Sequence, residues 1–306
     1  MSPAATNPGV LRPERVLRRL EWRVIRRLDG RLQGDYRSLF RGTGVDVSEL
    51  REYEPGDDLR QIDWNVTART DIPHVREYFE DREVTAWLVL DRSPSMVFGP
   101  VERAKHLVAT EVAATLAQLL ARGGNRIGAV LFDTTVEQTI PPAHGRTQVL
   151  RILHALTTPT ASATRRPAGS VTDLAGALRA TAGIARRRSL IVVVSDFQTA
   201  RDWDAPLAQL ARRHDVVPVQ ILDQREFELP DVGGIYVEDA ETGEQIYVDT
   251  ADAAFRHRLR AAAQARQAEL VAAARSAGTD LYSVSTDEDL VRALARIAEL
   301  RRRRRL

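Results

Sequence analysis

The chain of 306 residues is 43% hydrophobic, 28% charged and 6% aromatic, the balance of a soluble globular protein able to bury a sizeable core in one large domain or two smaller ones. Its 44 basic and 42 acidic residues are mixed along the chain and leave a net charge of +2, which argues against a dedicated nucleic-acid binder. There is no cysteine, so disulfides, thiolate ligands and thiol catalysis are excluded, and Lys105, the lone lysine among arginines, reads as a coding bias with little mechanism in it.

Residues 1–11 read as a disordered leader without the apolar core of a signal peptide, and a cytoplasmic location is expected. Apolar runs such as Leu190 to Val194 fall far short of the roughly 20 residues that span a bilayer, so no integral membrane segment is expected. From Pro13 to Leu28, Leu17, Leu20, Val24 and Leu28 recur at helical spacing with arginines on the other faces. Such a helix either packs on its own domain or lies on an acidic surface, and Glu14, Glu21 and Asp29 dilute the charge in favour of the first. It opens a segment, 12–83, that continues as a cap rich in Arg, Tyr, Pro, Gly and Asp. There Pro55-Gly56-Asp57-Asp58 is a strong turn signal, and acids and arginines alternate closely enough to pair across a loop.

The main domain spans 84–306. Trp87-Leu88-Val89-Leu90-Asp91 has the pattern of a fully buried strand, the first of a parallel sheet, and Ser93 and Ser95 follow its terminal carboxylate. A chain leaving a strand nearly extended points alternate residues one way, so these three oxygens can converge. One carboxylate with two hydroxyls suits a hard, octahedral ion such as Mg2+ or Mn2+. The plainer alternative is that Asp91 and Ser95 satisfy turn and helix-start amides.

Val101, Ala104, Val108, Val112, Leu116 and Leu119 then stripe a helix with Pro100 in its first turn and Gly123-Gly124 at its end. Strands from Arg126 to Phe132 and from Val136 to Ile140, joined by a short turn, predict an antiparallel edge pair, and a helix from Thr147 to Leu156 follows. Gly169 to Asp173 is a loop before the next helix, where Thr172 is either an ordinary N-cap or a further hydroxyl ligand. Leu190 to Ser195 is a central strand ending at Asp196, followed by a helix (Ala205 to Arg213) and a strand (Val216 to Leu222) ending at Asp223. In a doubly wound sheet the first and fourth strands flank the switch point, so Asp91 and Asp196 would face each other across the crevice. A hairpin excursion at 229–250 pairs Gly234 to Glu238 with Gln245 to Asp249 around Thr242-Gly243. A long helix (Ala251 to Ala277), a strand (Leu281 to Ser285) and a helix capped near Thr286 complete the chain, with Arg301 to Arg305 as cations at a helix C-terminus.

The order Asp-x-Ser-x-Ser, loop Thr, strand-end Asp resembles the von Willebrand factor A domain and its metal-ion-dependent adhesion site. The resemblance implies an α/β fold with a doubly wound, mostly parallel sheet and one antiparallel edge strand. It also implies Mg2+ or Mn2+ held by Asp91, Ser93, Ser95, Thr172 and Asp196, with an open position that accepts an acidic residue of a partner. More closely, the chain resembles a bacterial family of such domains catalogued as domain of unknown function fifty-eight and encoded beside MoxR-type AAA+ ATPases. The residues that carry this are Arg51-x-Tyr53-x-Pro55-Gly56-Asp57-Asp58-x-Arg60-x-Ile62-Asp63-Trp64, Ala68-Arg69, Asp91-x-Ser93-x-Ser95-Met96 and Glu241-Thr242-Gly243-Glu244; Val47 departs from the pattern, which has an aromatic there.

That resemblance implies a non-catalytic, metal-dependent adaptor for a MoxR-type ATPase or its client, working in protein maturation, complex assembly or stress response. The alternative is a Mg2+-dependent phosphotransferase or hydrolase using Asp91, since strand-end aspartates at switch points also carry phosphoryl chemistry. That chemistry usually wants a second acid two residues on, where this chain has Ser93. A nucleotide binder is disfavoured, because no Gly-x-Gly-x-x-Gly follows the first strand and no Gly-Lys-Ser/Thr loop occurs.

Overall fold

The computed structural model describes residues 13–20, 24, 50–55, 57–59, 62–76, 84–99, 103–158, 170–199, 202–238 and 244–305. The expected leader, Val47, Gly56, Arg60, the Pro100-Val101 helix start and the hairpin turn at Thr242-Gly243 lie outside these residues. The chain divides into two compact units, one being Arg41–Val84 and the other Met1–Phe40 with Thr85–Leu306. The N-terminal helix therefore goes with the sheet, whereas the sequence reading joined it to the cap.

The larger unit is built on a six-stranded sheet. In chain order its described elements are α1 (Pro13–Leu20), then β3 (Thr85–Asp91), α3 (Lys105–Arg122), β4 (Arg126–Phe132), β5 (Val136–Ala143) and α4 (Gly145–Thr157). They continue with α5 (Leu174–Ile184), β6 (Leu190–Ser195), α6 (Asp204–Arg213), β7 (Asp215–Leu222), a hairpin of β8 (Gly234–Glu238) and β9 (Gln245–Asp249), α7 (Ala253–Ser276), β10 (Tyr282–Ser285) and α8 (Leu290–Arg305). The sheet order is β5-β4-β3-β6-β7-β10, parallel except for β5, which runs antiparallel to β4. This is the doubly wound α/β arrangement with an antiparallel edge strand that the sequence predicted. Edge strand β5 runs on to Ala143, beyond the predicted Ile140. Its Pro141 and Pro142 are tolerable because an edge strand needs donors on one side only.

Near-continuous apolar runs form β3, β6 and β7 because helices cover both sheet faces. Trp87, Val89, Val130, Phe132, Ile191 and Val193 pack with residues of α5, α6 and α7, among them Leu178, Leu207 and Leu270. The intervening Leu88, Leu90, Ala129, Leu131, Val192 and Val194 are buried on the opposite face, where α3 packs across the central strands and α4 against β4. Helix α1 buries Val16, Leu17 and Leu20 and packs on α3 and α4, so its apolar stripe serves its own unit. Helix α8 starts at Leu290, where Asp289 accepts the Arg292 amide at 3.1 Å, so the predicted cap Thr286 is not the cap. The arginine tail is partly paired, with Arg301 on Asp215 at 2.7 Å and Arg304 on Asp280 at 3.1 Å.

The smaller unit holds an antiparallel ribbon, β1 (Leu50–Glu52) with β2 (His74–Arg76), and helix α2 (Trp64–Thr70). Asp63 caps that helix by accepting the Asn65 and Val66 amides. Arg51 grips Asp57 through two bonds of 2.8 and 2.7 Å, the predicted pairing across the loop, which holds the Asp57 carboxyl below its usual range.

Gly128 shows how tightly the sheet is packed. It pairs with Trp87 of β3, and a Cβ placed on it would stand 2.9 Å from both the Trp87 ring and the Ile140 carbonyl. Gly128→Ala is expected to destabilise the protein by about 1–3 kcal/mol through overpacking. Urea denaturation should show a lower midpoint with an unchanged slope.

Candidate metal centre

The crevice opens where the chain leaves β3 toward β4 on one side and meets β6 on the other. Leu90 pairs with Val194, so the next residues, Asp91 and Ser195, end neighbouring strands at the same edge. Ser93 then stays extended, at φ −61° and ψ 158°, before a short 3-10 turn at Pro94–Val97. Asp91 accepts the Ser93 amide on Oδ1 at 2.8 Å and the Ser195 hydroxyl on Oδ2 at 2.5 Å. The Ser93 and Ser95 hydroxyls lie 3.0 Å apart, and Asp91, Ser93, Ser95, Thr172 and Asp196 are all buried.

These contacts bear on the plainer of the two sequence readings of the triplet. Asp91 does satisfy a turn amide, as the plainer reading required. The side chains of Ser93 and Ser95 do something else: Ser93 heads the 3-10 turn without a side-chain cap bond, and the Ser95 hydroxyl turns to Ser93. Thr172 is not a cap either. Asp173 caps α5 by accepting the Gly176 amide at 2.6 Å, while the Thr172 carbonyl accepts the Thr199 hydroxyl at 2.5 Å and ties its loop to the one after β6.

Asp196 is aimed by a kink. Phe197 adopts φ +57°, a left-handed conformation costly for a bulky residue, and persists there because its buried ring packs edge-on to Trp203 at 5.4 Å. The Phe197 amide donates to the Ser195 hydroxyl, and the Gln198 amide to Asp196 Oδ1 at 3.0 Å. The other Asp196 oxygen accepts from Lys105 Nζ at 2.7 Å, and Nζ also reaches Glu226 Oε1 at 2.5 Å. Glu226 is fixed in turn: it completes a capping box with Asp223 and accepts the Gln198 side-chain amide at 2.7 Å.

Lys105, Glu226, Ser195 and Gln198 were missed by sequence reasoning. For Lys105 a signal existed and was misread as coding bias, because a lysine retained in a chain that otherwise uses arginine marks a site needing a compact point charge. The lone lysine is fully buried. Burial pushes it toward neutrality, but the Asp196 and Glu226 carboxylates outweigh that and hold it charged above the usual lysine range. Among the described residues no cation pairs with Asp91: burial, then the negative charge of Asp196, pushes it up to about 7 against the pull of the Ser195 and Ser93 hydrogen bonds.

The donor chemistry fits a hard divalent cation. A buried carboxylate short of positive charge stands beside two hydroxyls whose 3.0 Å spacing equals that of adjacent donors on an octahedral ion with bonds of about 2.1 Å. Among the described residues no three His, Asp or Glu side chains cluster as a metal set, so the hydroxyls are essential to this fit.

The sequence matches the family described as "Protein of unknown function DUF58" over residues 49–269. It is 39% identical to the uncharacterized protein Rv1480 of Mycobacterium tuberculosis and to the uncharacterized protein Mb1516 of Mycobacterium bovis, in each case over 287 residues, covering 94% of this chain and 89% of the relative. Among solved structures, the conserved hypothetical protein BatB from Bacteroides thetaiotaomicron superposes with a TM-score of 0.46 at 16% identity, covering 73% of this chain and all of that one.

The raised Asp91 carboxyl gives a pH dependence of definite sign. Between its ordinary value of 3.8 and about 7 the folded state holds the proton more tightly than the unfolded chain does. Its contribution to stability is therefore fullest at low pH and is lost as pH climbs through 7, a loss on the order of a few kcal/mol. In chelator, the melting temperature of the wild type relative to Asp91→Asn should fall by several degrees between pH 5 and pH 8. A constant difference across that range would show that Asp91 is ionised throughout.

Proposed function

The chain belongs to the family described as protein of unknown function DUF58, and from that premise we propose that it is a metal-dependent protein-binding adaptor that uses Asp91, Ser93, Ser95, Thr172 and Asp196 to hold Mg2+ or Mn2+. The observation that carries this reading is the buried, charge-deficient Asp91 beside the paired Ser93 and Ser95 hydroxyls. When bound, the ion supplies an electrophilic position open to an outside carboxylate. The residues of the chain bind and orient it: Asp91 and the hydroxyls furnish oxygens, and Lys105 and the Gln198 amide fix Asp196.

The surroundings suit a protein partner. Val97, Phe98 and Val171 are exposed, the first two following Ser95-Met96 and the third preceding Thr172, so apolar side chains stand beside the buried hydroxyls. In the proposed reading the partner is the MoxR-type AAA+ ATPase that the family resemblance implies, or its client, presenting an Asp or Glu. The work would be cytoplasmic, in maturation, assembly or stress response. No helix among the described residues is long and apolar enough to cross a membrane.

A second reading, phosphoryl transfer through Asp91, gains something from Lys105, since a buried cation on the neighbouring Asp196 suits a phosphate. It loses more from the engagement of that ammonium by two carboxylates.

Asp91→Ala, and separately Ser93→Ala with Ser95→Ala, should abolish Mg2+ and Mn2+ binding in calorimetric titration, with circular dichroism showing the fold retained, because each change removes only a few buried atoms. Thr172→Ala should weaken metal affinity by about tenfold, about 1.4 kcal/mol, with little change in melting, since Asp173 keeps the cap. Unchanged affinity in all three would sink the site assignment. Steady turnover of ATP or a phosphate ester, lost in Asp91→Asn, would establish the second reading.

A further inference from the structure

Both oxygens of Asp196 are already spoken for, Oδ2 by the Lys105 ammonium at 2.7 Å and Oδ1 by the Gln198 amide at 3.0 Å. The ammonium is not a swinging arm. Glu226 holds it at 2.5 Å and is itself locked by the Asp223 amide and the Gln198 side chain. On another side the Phe98 ring lies 5.7 Å from Nζ, and the Lys105 amide donates to the Phe98 carbonyl at 2.8 Å. Asp196 and Glu226 thus share the one ammonium of Lys105.

We propose that Lys105 is a positioning residue that keeps Asp196 out of direct coordination and thereby sets both the affinity of the site and its appetite for an outside carboxylate. This rests on the metal-binding reading above. Both oxygens of Asp91 also accept hydrogen bonds, but from the neutral Ser93 amide and Ser195 hydroxyl, so of the two aspartates it is Asp196, on the ammonium, that is held from the ion, and the remaining donors are neutral hydroxyls. A site so poor in anionic ligands holds its ion loosely and leaves it electrophilic, so a carboxylate from a partner gains more by binding there. Arginine could not substitute: its planar fork, larger than an ammonium, would have to enter a space closed by Asp196, Glu226 and Phe98. That accounts for the single lysine in a chain whose other basic residues are arginine.

The test is calorimetric titration of the full chain with Mg2+ and Mn2+, with circular dichroism and melting as fold controls. Lys105→Met should bind either ion at least tenfold more tightly, because it frees a second carboxylate and removes a repelling charge. A merely structural role predicts the reverse, weaker binding in a less stable protein. Since Lys105→Met strands Asp196 and Glu226 without their cation and can fail to fold, Lys105→Met with Glu226→Gln restores the charge count and should show the same gain. Asp196→Asn completes the cycle: it should cost little in the wild type and at least tenfold more in the Lys105→Met background. Equal cost in both backgrounds, or no gain in either lysine variant while the wild type binds metal, overturns the role of Lys105 and leaves the metal site standing. Failure of the wild type and every lysine variant to bind overturns the metal reading itself.

Discussion

Two carboxylates buried side by side at the ends of adjacent parallel strands are the constraint around which this protein is arranged. Parallel pairing puts the residue after each strand at one edge of the sheet, and the reversal of winding between β3 and β6 opens that edge into a crevice. Register brings Asp91 level with Ser195, and the kink at Phe197 aims the following Asp196. Burial, and after it the like charge of Asp196, holds Asp91 well above the ordinary carboxylate range. The surrounding fold reads as a set of answers to that repulsion: the Ser93 and Gln198 amides, the Ser195 hydroxyl and one ammonium.

Those answers come from three separate stretches of chain, a fourth carries the Glu226 that holds the ammonium, and each is held by structure of its own. Lys105 begins α3, whose helix N-terminus adds its own positive partial charge at the same edge. Glu226 is delivered by the turn after β7, closed as a capping box on Asp223, which in turn accepts the Thr286 hydroxyl after β10 at 2.6 Å. Phe197 tolerates a left-handed backbone so that Asp196 and the Gln198 amide meet, with Trp203 behind it supplying the packing that makes this conformation stable. Strain at the site is thus supported by the core that covers the sheet.

The scaffold was legible in the sequence because periodicity reports burial, and burial on both faces is what a doubly wound sheet demands. Strands Arg126–Phe132, Leu190–Ser195 and both hairpin strands fall where the apolar runs placed them. Thr286 was misplaced for a physical reason: a threonine before a helix reads as a cap, but this one is drawn away by the buried Asp223 carboxylate, leaving the cap to Asp289. The same competition hid the division of labour between Thr172 and Asp173. At the site, Asp91, Ser93 and Ser95 could be singled out because their spacing is local. Lys105 and Glu226 could not, since they lie 91 and 28 or more residues away from the groups they serve, Asp196 and Gln198, in sequences whose local pattern says only helix start and turn. Only the oddity of a lone lysine could have pointed to the first.

The proposed adaptor role places two demands on one small surface, and the arrangement meets them with different residues. Recognition of a carboxylate needs a centre that is electrophilic yet not so strongly positive that it captures any passing anion. The pinning of Asp196 by Lys105 serves the first demand, since it limits the anionic ligands without adding net charge to the pair. Selectivity for a protein over a small carboxylate needs apolar contact area around the charge, and Val97, Phe98 and Val171 offer it next to the hydroxyls. Phe98 joins the two, because its ring stands by the ammonium and its carbonyl accepts the Lys105 amide. A partner that packs on Phe98 would therefore touch the same residue that borders the ammonium, so the apolar rim and the buried charge meet at one side chain.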